Sequence, residues 1–333
     1  MNKTLKTIVI GTSLTGASDG VVRTGIALAR TTGASLWLVH AYTPYFGTAE
    51  MGQDAVWMEE QMKGLKELID EQARRTGMSA LPGFSPDQVR LVLGAAHREI
   101  VDLAQGVQAD LVMVGAAESS HGLLGSTAER VIRKAPCPVL VIRSETAFPP
   151  IRVEIPVDLS PVSADAFRQG LDLLALTGAP LAGTEALFVL NPLEVAGSMQ
   201  FTPEQIERFA GEELHRFLEA NGGGSTKARV RSGFPREEIL AALAERQVDL
   251  AVLGTHGRGG FERLMLGSIA AGVLRVATCN LLIVPPVAAQ RHGAPMESTI
   301  GSTIGSTMES RETPASGDWS YVSDESPAVL ARS

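Results

Sequence analysis

Cysteine is nearly absent from this chain of 333 residues, which holds only Cys137 and Cys279. So small a number excludes a disulfide framework, and since neither cysteine lies in a cluster with ligand spacing, we expect no metal site. Apolar runs are short, and none approaches the roughly 18 residues that a membrane-spanning helix needs. The run at the N-terminus is also too short for a secretory signal, so we expect a cytoplasmic protein without a membrane partner.

Positive charge is scarce relative to negative charge. Lysine and arginine together number 29 against 37 aspartates and glutamates, which gives a net charge of -8 at pH 7. This balance argues against nucleic acid or an anionic membrane as the main partner, although it leaves room for a local phosphate site. The sequence also lacks a GxxxxGKS or GxxxxGKT phosphate loop, and no general base or nucleophile stands in a recognisable position, so we expect no catalytic residues.

What the sequence does contain is an internal repeat. Residues of the first half recur in the second at a separation of 139, which becomes 142 beyond a glycine-rich loop. The clearest equivalences are Gly94 with Gly233, Gly115 with Gly254, Gly125 with Gly267, and Cys137 with Cys279. The chain is therefore a tandem duplication whose two copies differ by three residues in one loop.

Each copy alternates short apolar runs with helical patterns. Such βα units with continuously apolar strands predict a parallel sheet that helices cover on both faces. We therefore predict an α/β fold of two tandem, doubly wound, five-stranded parallel-sheet domains, residues 1–144 and 151–287, each with strand order 3-2-1-4-5. Pro149 and Pro150 mark the join between them.

The last segment, residues 288–333, has a different composition. It is polar, rich in Ser, Thr and Gly, repeats the letters STIG, and has no sustained helical or strand periodicity. We predict a disordered tail, with a docking or modification segment as the alternative.

The second copy contains a complete glycine loop, GTHGRGGFERLMLGS, directly after the apolar run VDLAVL. Its glycines, Gly254 and Gly257 among them, allow a ligand to approach the main chain closely. The helix that starts at Ser268 offers N–H groups and a dipole to an anion. Arg258 adds a fixed positive charge, and His256 could add a further donor. The combination indicates a nucleotide triphosphate site.

Two further positions fall at the crevice where the predicted strand order reverses, which is where doubly wound sheets bind ligands. Asp158 follows the first strand of the second copy and could accept a hydrogen bond from a ribose or base, while Val189 near the end of the second strand could form an apolar wall. Taken singly, these residues have ordinary explanations too. Asp158 could be a turn or helix-cap residue, His256 a loop hydrogen bonder and Arg258 a solvated surface charge.

The loop GTHGRGGFERLMLGS resembles the motif of ATP-binding universal stress proteins, which is G-x-x-G, nine residues, then G followed by S or T. The segments VDLSPVSADAF, REEILAALAERQVDLAVLG and ATCNLLIVP are similar to other parts of that family, so the resemblance covers roughly residues 5–144 and 151–287. It implies an ATP-binding protein, a pseudo-dimer of its two halves, that serves stress resistance and regulation rather than turnover.

The resemblance also implies a role for individual residues. Asp158 would contact ribose or adenine, and Val189 and Gly254 would line the base. The phosphate contacts would come from Gly257, Arg258, Gly267 and Ser268, and neighbouring contacts from Pro156 and Ile269. Magnesium is expected with ATP, but the sequence contains no visible dedicated ligand set for it.

The first copy departs from this pattern. Ser13 stands where Asp158 stands, the loop is three residues shorter, and Glu118 adds negative charge near the position of the phosphates. A like charge is costly in a confined site. We therefore predict one nucleotide per chain, bound in the second copy.

Two other classes of function stay open. A slow nucleotide hydrolase would use His256 for proton transfer. A nucleotide-independent scaffold would depend on the strands PVLVIR and NLLIVP, which could pair antiparallel and join the two halves, while the remaining sheet edges could pair in a homodimer.

Overall fold

The computed structural model of the chain describes residues 4–43, 54–116, 125–143, 148–192, 201–255 and 266–286, and of residues 54–56 only the backbone. Within these ranges lie ten strands and eight α-helices. The strands, numbered in chain order, are β1 Thr7–Gly11, β2 Ser35–Tyr42, β3 Val89–Leu93, β4 Leu111–Gly115, β5 Val139–Ile142, β6 Val153–Val157, β7 Thr184–Leu190, β8 Lys227–Ser232, β9 Leu250–Gly254 and β10 Asn280–Val284. The helices are α1 Gly16–Thr32, α2 Asp54–Arg75, α3 Ala96–Gly106, α4 Ser126–Lys134, α5 Pro161–Thr177, α6 Pro203–Ala220, α7 Pro235–Glu245 and α8 Ser268–Val276.

The ten strands form one sheet in the order β3-β2-β1-β4-β5-β10-β9-β6-β7-β8. Within each half the strands run parallel in the order 3-2-1-4-5, so the predicted doubly wound α/β fold is confirmed. The predicted tail, residues 288–333, lies outside the described residues, and the domain limits 1–144 and 151–287 stay predictions.

The two halves are joined through β5 and β10. These strands pair antiparallel, with Val139 opposite Ile283 and Val141 opposite Leu281. This is the pairing that PVLVIR and NLLIVP were expected to make in a scaffold, and it turns two five-stranded sheets into one. Each half thereby loses an exposed sheet edge, which would otherwise present unpaired backbone groups to other chains.

Local sequence signals set the helix ends of the second half. α6 follows a capping box in which Thr202 accepts a hydrogen bond from the Gln205 N–H and Gln205 accepts one from the Thr202 N–H. α5 begins at Pro161, and the Ser160 side chain caps its first turn. It ends before Gly178, where φ is 68° and glycine is favoured.

Helices cover both faces of the sheet. α1, α2, α5 and α6 pack on one face, and α3, α4, α7 and α8 pack on the other. Because side chains alternate along a strand, Ile8 and Ile10 of β1 enter the first core and Val9 enters the second. Burial on both faces is what gives the strands their nearly continuous apolar sequences.

One aspartate in each half fastens the start of its first strand, a contact that sequence patterns did not indicate. Asp110 Oδ2 accepts hydrogen bonds from the N–H groups of Lys6 and Thr7 at 2.8 and 3.0 Å. Its repeat equivalent, Asp249, accepts in the same way from the two N–H groups just before β6, at 3.1 and 2.8 Å. These aspartates therefore connect the start of β1 to the start of β4, and the start of β6 to the start of β9.

β6 carries a fully buried carboxylate, contrary to the expectation of continuously apolar strands. Glu154 is 0% exposed and occupies the position that Val9 has in the first half. Its Oε2 accepts a hydrogen bond from the Arg246 guanidinium, which also lies 3.3 Å from Glu185 Oε2. Among the described residues Oε1 has no hydrogen-bond partner. Burial raises the pKa of Glu154 to about 7, although the charge of Arg246 opposes the rise.

We expect Glu154 to make the stability of the protein depend on pH. Its folded-state pKa of about 7 lies above the ordinary value of 4.5. It therefore favours folding below pH 4.5, and this contribution is lost as the pH rises through 7. The pKa difference corresponds to about 3 kcal/mol. In urea denaturation, the free energy of unfolding of Glu154→Gln relative to the wild type should increase from pH 5 to pH 8, by up to about 3 kcal/mol.

The matched control is Glu67→Gln, which neutralises an exposed carboxylate on α2. Its free energy of unfolding relative to the wild type should change little over the same pH range. A constant difference for Glu154→Gln would contradict the assignment of a titrating buried carboxylate.

Candidate functional site

The carboxyl ends of β6 and β9 lie at the point where the strand order of the second half reverses. From β6 the sheet continues to β7 and β8 on one side, and from β9 to β10 on the other. Asp158 directly follows β6, Gly254 ends β9, and Val189 is the last but one residue of β7. The fold thus brings these three predicted site residues to one edge of the sheet, where doubly wound folds bind ligands.

The hydrogen-bonded ladder between β6 and β9 stops short of this edge. It ends at Glu154 and Ala251. In the first half, by contrast, β1 and β4 stay paired as far as Gly11, the last residue of β1. Backbone pairing is therefore interrupted at the carboxyl ends of β6 and β9, and the equivalent pairing of the first half continues to the end of β1.

Pro156 accounts for the interruption of the ladder. The carbonyl of Arg152 accepts a hydrogen bond from the Leu250 N–H at 3.3 Å, so alternate residues of β6 direct their backbone groups towards β9. Pro156 belongs to this alternate series but has no N–H to donate, so the ladder cannot continue. Its equivalent Gly11 retains its N–H. The sequence placed Pro156 among the contact residues, and the structure shows that it lies where the backbone pairing with β9 has ended.

Asp158 closes the turn between β6 and α5. Its Oδ1 accepts a hydrogen bond from the Ser160 N–H at 3.0 Å, and the intervening Leu159 has a φ of 63°. The side chain is half-buried. Asp158 therefore has the role of a turn residue, which was the ordinary explanation for it. Because a carboxylate can accept several hydrogen bonds, this role is compatible with a ligand contact.

α8 begins at the same edge. Its cap residue Gly267 donates a hydrogen bond to the Thr255 carbonyl at 2.7 Å, which ties the start of the helix to the end of β9. The first turn carries no acidic residue, and Ser268 and Ile269 are exposed. Because the first N–H groups of a helix have no partners within it and lie at the positive end of the dipole, this end suits an anion.

Three predicted site residues, His256, Gly257 and Arg258, lie outside the described residues. Glu118 of the shortened loop does as well. Their contributions to the site stay predictions. Val189 is half-buried and packs against the apolar core under α7 and α8.

A buried hydrogen-bond network lies beside the end of β1, at the corresponding edge of the first half. The Thr12 hydroxyl donates to Gln72 Oε1 at 2.8 Å, and Gln72 Nε2 donates to Asp19 Oδ1 at 2.7 Å. Asp19 also accepts two hydrogen bonds from the Arg75 guanidinium, which hold the pKa of this carboxyl below its usual value. Val157 replaces Thr12 in the second half, so the network belongs to the first half. Sequence reasoning missed this network, although the polar Gln72 in an otherwise apolar helix stripe was a signal that could have indicated it.

The helix start of the first half also differs electrostatically from α8. Glu129 in the first turn of α4 has Ala271 as its equivalent. The carboxylate accepts a hydrogen bond from Arg133 at 2.6 Å, which lowers its pKa and keeps it ionised at neutral pH. Ser13, the equivalent of Asp158, is exposed and lies 2.9 Å from the Thr15 hydroxyl. The first half therefore lacks the carboxylate at the crevice mouth and has one in its helix start instead.

Among the described residues, no group of three or more His, Cys, Asp and Glu side chains could hold a metal ion. The described helices also include none that is long and apolar enough to cross a membrane. Cys137 and Cys279 are buried, and burial raises the pKa of Cys279 to about 11, so this thiol is protonated at neutral pH.

Known proteins show similarity over both halves of the chain. A universal stress protein of Mycolicibacterium smegmatis is 26% identical over 290 residues, 84% of this chain and 97% of the relative. Universal stress protein Rv2005c of Mycobacterium tuberculosis is 29% identical over 184 residues, which cover 53% of this chain and 62%, less than two thirds, of the relative. The crystal structure of a universal stress protein from Archaeoglobus fulgidus has a TM-score of 0.62 at 16% identity, covering 85% of this chain and 100% of that one. This structural likeness concerns the fold alone.

The family model described as the universal stress protein family matches the sequence twice, at residues 4–143 and 152–285. The two matches account for both copies of the internal repeat and for both halves of the sheet. The chain therefore belongs to the universal stress protein family, as a tandem member with two copies of the domain.

Proposed function

We propose that the protein binds ATP at one competent site, in the second half, and acts in a regulatory or protective role in the stress response. The observation that supports this most strongly is the interrupted ladder between β6 and β9, because the break in backbone pairing lies next to Asp158 at the edge where the first half stays paired. Membership of the family supports the stress role.

In this proposal the nucleotide lies across the ends of β6, β7 and β9. Asp158 accepts from the ribose or adenine, and Val189 and Gly254 line the base. The N–H groups at the start of α8, with Gly267 and Ser268, hold the phosphates, because the dipole is favourable and no acidic side chain stands in the first turn. The remaining contacts are assigned to Pro156, His256, Gly257, Arg258 and Ile269. Magnesium would accompany the ATP, and its ligands would come mainly from phosphate and water.

The scaffold function is a second candidate, which the β5–β10 pairing favours because this pairing joins the halves without any ligand. Enzymatic turnover has no support from the described residues, and a slow hydrolysis would require His256. Stress protection in cells that carry a variant unable to bind ATP distinguishes the first two hypotheses. Protection that survives the loss of ATP binding would favour the scaffold.

Equilibrium dialysis with labelled ATP should give about one bound nucleotide per chain. The reason is that the first half lacks the interrupted ladder and the aspartate beside it. Two equivalent sites per chain, or no binding at all, would overturn the proposal.

Substitution of the two equivalent helix-cap glycines should show which half binds ATP. Gly267 and Gly125 have φ values of −55° and −65°, which valine can adopt, so neither change forces a strained backbone. Gly267→Val should weaken ATP binding by about tenfold or more, because the branched side chain obstructs the approach of a phosphate to the N–H groups. Gly125→Val is the matched control and should bind ATP like the wild type in isothermal titration calorimetry. Equal losses in both variants would count against a single site in the second half.

Asp158 can be tested in a way that keeps the turn. Asp158→Asn retains an oxygen that can accept from the Ser160 N–H, but it replaces the other carboxylate oxygen by a donor. Its melting temperature should stay close to that of the wild type, while its ATP affinity should fall by about tenfold, as one charge-assisted hydrogen bond is lost. Unchanged affinity in Asp158→Asn together with loss in Asp158→Ala would show that Asp158 acts through the turn alone.

A further inference from the structure

α8 is attached at its two ends to different halves of the protein. Its start is tied to β9 of its own half through the hydrogen bond from Gly267 to Thr255. Its last turn is contacted by residues of the first half, from the end of β5 and from α4. The helix that would hold the phosphates therefore depends for its placement on a domain that does not itself have the features of a nucleotide site.

Arg143, the residue after β5, makes the closest of these contacts. Its backbone N–H donates to Asn280 Oδ1 at 2.8 Å, which anchors it at the start of β10. Its guanidinium donates to the carbonyl of Leu274 in the last turn of α8. On α4, the Glu129 carboxylate lies 3.7 Å from the guanidinium of Arg275, which is in the same turn of α8.

The contact between Arg143 and Leu274 is favourable for a physical reason. The last four carbonyls of a helix have no partners within it, and a cation beside them also interacts well with the negative end of the dipole. α8 has only nine residues. A helix this short is marginal by itself, so its position and order depend on tertiary contacts.

The second half lacks the residues that would make the equivalent contacts to α4. The repeat equivalent of Arg143 is Pro285, which has neither a backbone N–H nor a cationic side chain. The equivalents of Asn280 and Glu129 are Pro138 and Ala271, which cannot make the matching hydrogen bond and ion pair. The first half thus holds the helix of the second half by contacts that the second half, with those residues, cannot return to α4.

We propose that Arg143 is a positioning residue for the nucleotide site, through which the first half holds α8 and sets the place of its phosphate-binding end. This inference rests on the proposed function. A helix transmits such a constraint along its axis, and nine residues span about 13 Å. The half whose first strand stays fully paired then supports the half that has the features of the nucleotide site.

The contact between Arg143 and α8 should affect the affinity for ATP more than the affinity for adenosine. Arg143 contacts α8, which would hold phosphates, whereas the ribose and base would be held by residues at the ends of β6, β7 and β9. Loss of the Arg143 contact should therefore weaken the binding of ATP and leave the binding of adenosine nearly unchanged.

The test measures the dissociation constants of ATP and adenosine for the wild type, Arg143→Ala and Arg143→Lys. Arg143→Ala should lose about fivefold or more in ATP affinity and less than about twofold in adenosine affinity, a coupling of ordinary size. Arg143→Lys retains a cationic donor and should recover most of the ATP affinity. Arg98→Ala, which removes an exposed arginine of the first half on α3, is the control and should match the wild type. Equal losses of ATP and adenosine affinity, or no loss of either, would overturn the role of Arg143.

Hydrogen–deuterium exchange without nucleotide tests the same role independently of ATP. The amides of α8 should exchange faster in Arg143→Ala than in the wild type, with those of α4 unchanged. If the wild type binds neither ligand, the proposed ATP function fails, and unchanged exchange in α8 would refute the positioning role in its own right. If Arg143→Ala fails to fold, the comparison of Arg143→Lys with the wild type replaces it. The amides of α8 in Arg143→Lys should exchange at nearly the wild-type rate. Exchange as fast as in a helix without tertiary contacts would contradict the proposal.

Discussion

The antiparallel pairing of β5 with β10 is the constraint on which the rest of the molecule depends. It makes one ten-stranded sheet out of two, removes an exposed edge from each half, and relates the halves by an approximate twofold arrangement. It also brings the end of β5 to the last turn of α8. Without this pairing Arg143 would have no helix of the other half to contact.

Duplication gave the two halves the same backbone plan, and a few substitutions at equivalent positions made them different. Gly11 in β1 corresponds to Pro156 in β6, and this one loss of an N–H interrupts the ladder between two strands at their ends. Ser13 corresponds to Asp158, so that the carboxylate stands only beside the interrupted ladder. These two differences lie at the same edge of the sheet, which is why they bear on ligand binding more than on the fold.

The two halves differ in their buried polar groups. The first half has the network of Asp19, Gln72 and Arg75 beside the end of β1, where polar groups are satisfied by one another. The second half has Glu154 in the middle of β6, where an apolar side chain would serve the core as well. Neither network follows from hydrophobic periodicity, because each depends on partners that are distant in the sequence.

The sequence by itself determined the repeat and the alternation of strands and helices, because these depend on local periodicity, capping residues and glycine positions, and the alternation predicts the doubly wound fold with its usual strand order. It also singled out Asp158, Gly267 and Ser268, since they lie at the ends of strands and the start of a helix. The tertiary structure decided that the ladder between β6 and β9 stops before Pro156 and that Arg143 reaches α8. Both depend on which backbone and side-chain groups face each other across strands and between halves, and spacing along one chain carries no information about such contacts.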